Sequence, residues 1–409
     1  ISCLTIRGNG SVQAKGGILG GNCGGGGGGR ISINYNPAAQ AAVSPKPPVV
    51  VSTVGGIQNC ARPGIMGTLY FSDSSILAPV LPHTGELIIP GFTSWAQDSL
   101  TVSNGILLFP TGMVITVTNA LTIQSSGSLV LTNAPSLNVG GNLLLTNTAS
   151  LHIHSPPTNG ATPYGCWLSV AGTIVVASNG YLYTYSQYTN GGSVRITASN
   201  VTVAPGGQIS ADAAGYMSGL STHVHGFGPG YGYMGANSGG GAGYGGVGGR
   251  GNHGDSYPGT TYGSAVLPLD PGSGGGDYRS YVYFSDGRGG GLLWLEVTNR
   301  VLVHGILSAN GRTPSGYQGA GSGGGIYIDC AWLGNTTTGV IRADGGNGGG
   351  ESGGGGGGRI AIVNWLTNAF DGLITVAGGI GQGGGPIYNG SNGTIYTSYR
   401  AGFPVALQR

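Results

Sequence analysis

The first 72 residues recur near the far end of the same chain. Ile1-Ser2-Cys3, Ser11-Val12-Gln13-Ala14, a run of six glycines from Gly24 to Gly29, Arg30-Ile31-Ser32-Ile33 and Gly67-Thr68-Leu69-Tyr70 form the first copy. The second contains Ile328-Asp329-Cys330, Val340-Ile341-Arg342-Ala343, six glycines from Gly353 to Gly358, Arg359-Ile360-Ala361-Ile362 and Gly393-Thr394-Ile395-Tyr396. The copies stand 326–329 residues apart, and Pro79-Val80 is echoed by Pro404-Val405. Residues 1–72 therefore read as the end of one module, 73–399 as a complete module, and 400–409 as the start of a third. Tandem copies of so large a unit point to an array or fibre more than to a self-contained enzyme.

The repeated unit is poor in charge, with 15 Lys and Arg against 13 Asp and Glu in 409 residues. That excludes disorder driven by self-repulsion, and a 39% hydrophobic fraction is enough to build a core. The 89 glycines lack the every-third-residue spacing of collagen. A net charge of +2 without a Lys/Arg cluster leaves no footprint for nucleic acid. No apolar run reaches the roughly 18 residues of a membrane-spanning helix. The weakly charged surface favours self-association.

Helix signals are nearly absent, and short Val/Ile/Leu/Thr runs recur throughout. Leu100-Thr101-Val102, Val114-Ile115-Thr116-Val117, Leu121-Thr122-Ile123, Leu129-Val130-Leu131, Leu137-Asn138-Val139 and Leu143-Leu144-Leu145 belong to a series spaced every 7–9 residues. Such runs place alternate apolar side chains on one face of a strand. Asn-Gly and Asp-Gly pairs, the usual marks of two-residue hairpins, are scarce. The pattern predicts an all-β chain built as a parallel β-helix (a solenoid) in preference to antiparallel sandwiches. Residues 73–200 form its short-rung part; 201–399 form a long-rung part with an insert at 215–291.

In the long-rung part, Ile209-Ser210-Ala211-Asp212, Ile306-Leu307-Ser308-Ala309-Asn310, Ile341-Arg342-Ala343-Asp344 and Leu373-Ile374-Thr375-Val376 each precede a glycine-rich loop. Gly325-Ile326-Tyr327-Ile328, Arg359-Ile360-Ala361-Ile362 and Thr394-Ile395-Tyr396 bring the chain back. Glycine at fixed positions between rungs predicts ordered loops whose backbones approach closely, rather than linkers.

These rungs, together with Gly239–Arg250, Tyr262-Gly263-Ser264 and Pro271–Gly276, resemble the glycine-rich β-helical repeats of very large secreted or surface proteins, mainly bacterial. The likeness covers residues 1–72 and roughly 200–399. It implies an architecture and an extracellular or cell-surface setting, and it carries no catalytic residues.

The five cysteines fit no zinc spacing. Cys23 aligns with Ser352, and the loop holding Cys60 aligns with a cysteine-free loop near Pro386. Their joint absence from the second copy suggests a Cys23–Cys60 disulfide, with buried free thiols as the alternative. Sequons at Asn9, Asn200, Asn335, Asn389 and Asn392 are compatible with secretion.

The insert concentrates the polar and aromatic chemistry. Tyr231, Tyr233, Tyr244, Tyr257, Tyr262, Tyr278, Tyr281 and Tyr283 are candidate contacts for glycans or for another subunit, because tyrosine rings serve both. If they bind glycans, deletion of residues 216–290 should remove binding and leave folding intact. His223 and His225, with His253 or Asp255, are the nearest approach to a metal set, and surface histidines are the simpler reading. Asp255, Asp277 and Asp286 with Arg279 form the closest acidic grouping, flanked by Arg250 and Arg288, but no rung aligns two carboxylates for sugar chemistry. No enzyme activity, metal or cofactor is expected. The expected function is structural: a fibre, sheath or surface filament self-associating along its axis as a covalent array or head-to-tail polymer. A glycan-binding adhesin is the alternative, and a polysaccharide lyase or hydrolase comes third. With roughly 20–25 residues per coil at about 4.8 Å each, one module would be roughly 60–80 Å long.

Overall fold

The computed structural model describes residues 1–17, 24–56, 64–158, 160–219, 225–252, 255–278, 287–334 and 338–399. The chain is nearly all β, and every strand pairing among the described residues is parallel. No described helix is long and apolar enough to cross a membrane.

Three series of strands recur in a fixed chain order. The first is an eleven-stranded sheet running from Arg30–Ile33 through Thr68–Phe71, Gly85–Ile88, Ile106–Leu108, Ser128–Thr132, Ser150–His154, Tyr181–Tyr185, Gln208–Ser210, Ile306–Ser308 and Val340–Arg342 to Leu373–Thr375. The second starts with Ser94–Gln97, Val114–Val117 and Ser136–Val139. The third starts with Val80–Leu81, Leu100–Ser103, Leu121–Gln124 and Leu143–Leu145. From Cys166–Val176 onward the second and third series run as single long strands with a register shift between their halves, as between Val170 and Thr173. They end at Arg359–Ala369 and Thr394–Tyr399.

Alternation explains the core. In Leu121–Gln124, Leu121 and Ile123 are buried, whereas Thr122 and Gln124 are partly exposed. Register stacks this pair onto Leu100 and Val102 below and Leu143 and Leu145 above. One apolar cluster results, continuous from Ile31 to Val376. The short turns use left-handed residues, among them Asn104, Ser125, Asn147 and Asn179, which accounts for Asn and Ser at positions that reverse the chain.

The Asp or Asn that closes each long rung has a defined task. Asp212 accepts the backbone N–H of Asn310 (2.6 Å), Asn310 that of Asp344 (2.8 Å), and Asp344 that of Ala377 (2.7 Å). This ladder fixes the point where each strand gives way to glycine.

Beyond that point the backbone packs against itself with a three-residue period. Gly353 and Gly356 donate to Gly239 and Ala242, Gly354 and Gly357 to Tyr388 and Ser391, and Gly355 and Gly358 to Gly346 and Ala343, at 2.8–3.0 Å. The carbonyls of Gly353 and Gly356 accept from Ala320 and Gly323, and those of Gly354 and Gly357 from Gly249 and Gly246. Partners thus step by three residues, forward along some neighbouring segments and backward along others, the periodicity of an extended threefold helix. A Cβ on any residue from Gly353 to Gly358 would lie 1.9–2.1 Å from a neighbouring carbonyl oxygen. The described glycine run from Gly353 to Gly358 is bonded through its backbone on all sides, as its fixed placement in the sequence predicts.

The sequence repeat is also a structural repeat. Ala14, Gly16, Gly29 and Thr68 donate to Ser52, Val54, Ala14 and Gly29; their counterparts Ala343, Gly345, Gly358 and Thr394 donate to Thr375, Ala377, Ala343 and Gly358.

Gly356→Ala should cost about 1–3 kcal/mol, the usual range for overpacking, because its methyl group meets the carbonyl of Gly246. Gly10→Ala, with nothing within 4 Å of the added carbon, should be close to neutral in the same denaturation assay.

Candidate functional site: the tyrosine-rich insert and its glycine bed

The insert lies across the glycine loops as part of their packing. Its segment Gly239–Gly249 bonds to the 353–357 run on one side and to Gly230 and Gly259, within the insert itself, on the other. This corrects the expectation that residues 216–290 can be removed without harm to folding: their loss would leave a row of buried glycine amides and carbonyls without partners.

The tyrosines divide into two groups. Tyr244 is fully buried, and Tyr262 packs against it with ring centroids 4.7 Å apart. The Tyr262 hydroxyl donates to the Pro271 carbonyl (2.5 Å) and accepts from Ser273 (2.9 Å). Burial pushes both phenols well above their ordinary pKa, so they remain neutral. Arg359 stacks on Tyr244 at 5.4 Å and donates to the carbonyls of Tyr262 (2.9 Å) and Tyr244 (3.3 Å). Tyr244 is internal, which corrects its assignment as a candidate surface contact, and Tyr262 is half-buried with its hydroxyl engaged. Arg30, the counterpart of Arg359, is exposed.

Tyr231, Tyr233 and Tyr257 instead form a surface patch with His225. Tyr231 and Tyr233 stand 4.9 Å apart, His225 is 5.1 Å from Tyr233, and Tyr257 meets Tyr233 edge-on at 6.2 Å. Tyr233 and Tyr257 are among the exposed large side chains, and Arg250 lies 5.2 Å over the Tyr257 ring. Tyr278 packs separately, against Tyr317 (5.6 Å). Tyr281 and Tyr283 lie outside the described residues, as do His223, His253, Arg279 and Asp286.

The acidic side chains of the insert are engaged in local structure. Asp255 accepts the Ala236 N–H through both oxygens (3.1 and 3.0 Å). Asp277 is buried, accepts from Gln318 and from the Tyr278 N–H (2.8 Å each), and is shifted upward in pKa by desolvation. His225 accepts the Met234 N–H through Nδ1 (3.0 Å). Among the described residues, no group of three His, Cys, Asp or Glu is placed to hold a metal ion. Cys23 and Cys60 also lie outside them, while Cys3, Cys166 and Cys330 carry free thiols.

Two outward clusters escaped the reading of the insert. On the eleven-stranded sheet, His152 pairs in register with Tyr183 and His154 with Tyr185, and their rings stack at 4.6 and 4.0 Å. The alternating runs Ser150–His154 and Tyr181–Tyr185 carry the signal, but it becomes visible only once the two strands are known to be neighbours. On the second series, Arg195 forms an ion pair with Glu296 and lies over the rings of Tyr164, Trp167 and Trp294 at 5.4–5.7 Å. Register also sets Glu296 beside Asp329, a carboxylate pair formed between rungs that a search within single rungs does not find.

Comparison of the chain with known protein families, with curated proteins and with solved structures gives no match.

Burial of two histidines gives the fold a pH response. Desolvation lowers both His83 and His152 from 6.5 to about 4, with His154 adding to the shift at His152. The folded state therefore holds neutral rings, while the unfolded chain takes up protons below its ordinary histidine pKa. Stability should be fully present above about pH 6.5 and fall as pH drops toward 4. Denaturation midpoints measured across that window should show the decline, and His152→Phe should reduce its slope.

Proposed function

We propose that the chain is an extracellular structural protein: a three-sided parallel β-helix whose tandem modules stack into a fibre, sheath or surface filament. The observation that carries this reading is that the module repeats in structure as well as in sequence: Ala14 and Gly29 donate to Ser52 and Ala14, and their counterparts Ala343 and Gly358 donate to Thr375 and Ala343. Parallel strands stack in register from Arg30–Ile33 to Leu373–Thr375, and stacking of the same kind would carry one module into the next.

What supports a mechanical role is the construction itself. Strands share backbone hydrogen bonds along one axis, and glycine beds bind neighbouring rungs through further backbone bonds. Extension along the axis would therefore load many such bonds together.

The exposed patch of His225, Tyr231, Tyr233 and Tyr257 favours a second reading, in which the filament displays a glycan-binding surface. Triple substitution of the three tyrosines by alanine should then abolish retention on a glycan array while the melting temperature stays near wild type.

Nine rung steps separate Arg30–Ile33 from Val340–Arg342 in the eleven-stranded sheet. At about 4.8 Å per rung this gives roughly 45 Å per module, shorter than the length expected from sequence because the glycine rungs and the insert take up so many residues. Electron microscopy of native, unsheared material should show filaments with that axial period. Discrete particles of uniform size would overturn the structural reading.

A further inference from the structure

The two copies of the repeat do not occupy the same side of the stack. Strands Arg30–Ile33 and Thr68–Phe71 open the eleven-stranded sheet. Their counterparts, the first half of Arg359–Ala369 and Thr394–Tyr399, close the thirteen-stranded sheet instead. Ser11–Gln13 and Val50–Ser52 form a two-stranded sheet of their own, whereas their counterparts Val340–Arg342 and Leu373–Thr375 belong to the eleven-stranded one. Every strand of the repeat has moved forward by one series, although its internal hydrogen bonds are unchanged.

The junction after the first copy shows how this happens. Ser52 bridges to Thr84, while Thr68–Tyr70 pairs with Glu86–Ile88. Two strands that a glycine loop holds apart in one rung are thus overlaid by one continuous segment, residues 84–88, in the next. The glycine loop is pinched off. The strand that followed it becomes the base of the first series, and a new second series begins at Ser94–Gln97, which pairs upward with Val114–Val117. The glycine bed leaves the stack before the first series in one copy and after it in the other.

We infer that successive modules join with a rotation of one face, a third of a turn about the filament axis. This rests on the tandem β-helix reading proposed above. The docking surface is the pair Thr375 and Thr394–Tyr396, and its partner is the segment equivalent to residues 84–88 of a following module. Ile395 is then covered by the counterpart of Leu87, as Leu69 is covered by Leu87. The glycine beds and their tyrosine patches wind around the filament and return to the same side after three modules, roughly 135 Å at about 4.8 Å per rung. A filament built this way offers equivalent lateral contacts on every side, which suits a bundle or sheath better than a flat ribbon.

Helical reconstruction from cryo-electron micrographs of the native filament tests the rotation directly. The expected result is a rise of roughly 45 Å with a twist of one third of a turn per module. A filament of the same rise with no twist, all glycine beds along one edge, would overturn the rotation and leave the stacking reading standing. Absence of filaments would remove the stacking reading and the rotation with it.

Discussion

The missing Cβ of glycine is the constraint on which the C-terminal half of this molecule depends. Between Gly353 and Gly358 every residue has a carbonyl oxygen where a methyl group would stand, so an alanine anywhere in the run must displace a neighbouring backbone. That proximity lets each amide and carbonyl find a partner in a different neighbouring segment, with partners changing every residue and recurring every third. A sheet strand pairs on two sides only; this arrangement pairs on several, and so fills a volume without apolar side chains.

Such a lattice is weak by itself. Glycine loses more backbone freedom on ordering than any other residue, and a buried backbone hydrogen bond returns only about 0.5–1.5 kcal/mol net. The β-strands resolve this balance. The glycine loops after Ile306–Ser308 and Val340–Arg342 are held at both ends by strands stacked in register, with Leu307, Ile341, Ile326 and Ile360 fully buried in the shared core. Ordering is therefore largely imposed at the ends, and the Asp212–Asn310–Asp344 ladder fixes where each loop begins. The apolar core and the glycine bed are mutually dependent layers.

The same division sorts the aromatic residues. Tyr244 and Tyr262 fill the boundary between bed and strands, where Arg359 ties their carbonyls down. Tyr231, Tyr233 and Tyr257 lie on the outer side of the insert, beyond the last layer of glycine, and remain available for contact. Nothing in the local sequence separates the two groups, since each tyrosine sits beside glycine.

What the sequence determined alone was whatever depends on short-range pattern. Alternation in runs such as Leu121-Thr122-Ile123 specifies strands with one apolar face, the scarcity of hairpin turns favours parallel stacking, and the repeated Arg30 and Arg359 contexts specify equivalent rungs. The tertiary structure alone decided which residues meet across rungs. Glu296 and Asp329, or His154 and Tyr185, are far apart in the chain and adjacent only through register. It also decided that the insert is a structural layer and that equivalent strands of the two copies belong to different sheets. Register depends on which strands stack across rungs, a matter of three-dimensional packing that no local pattern encodes.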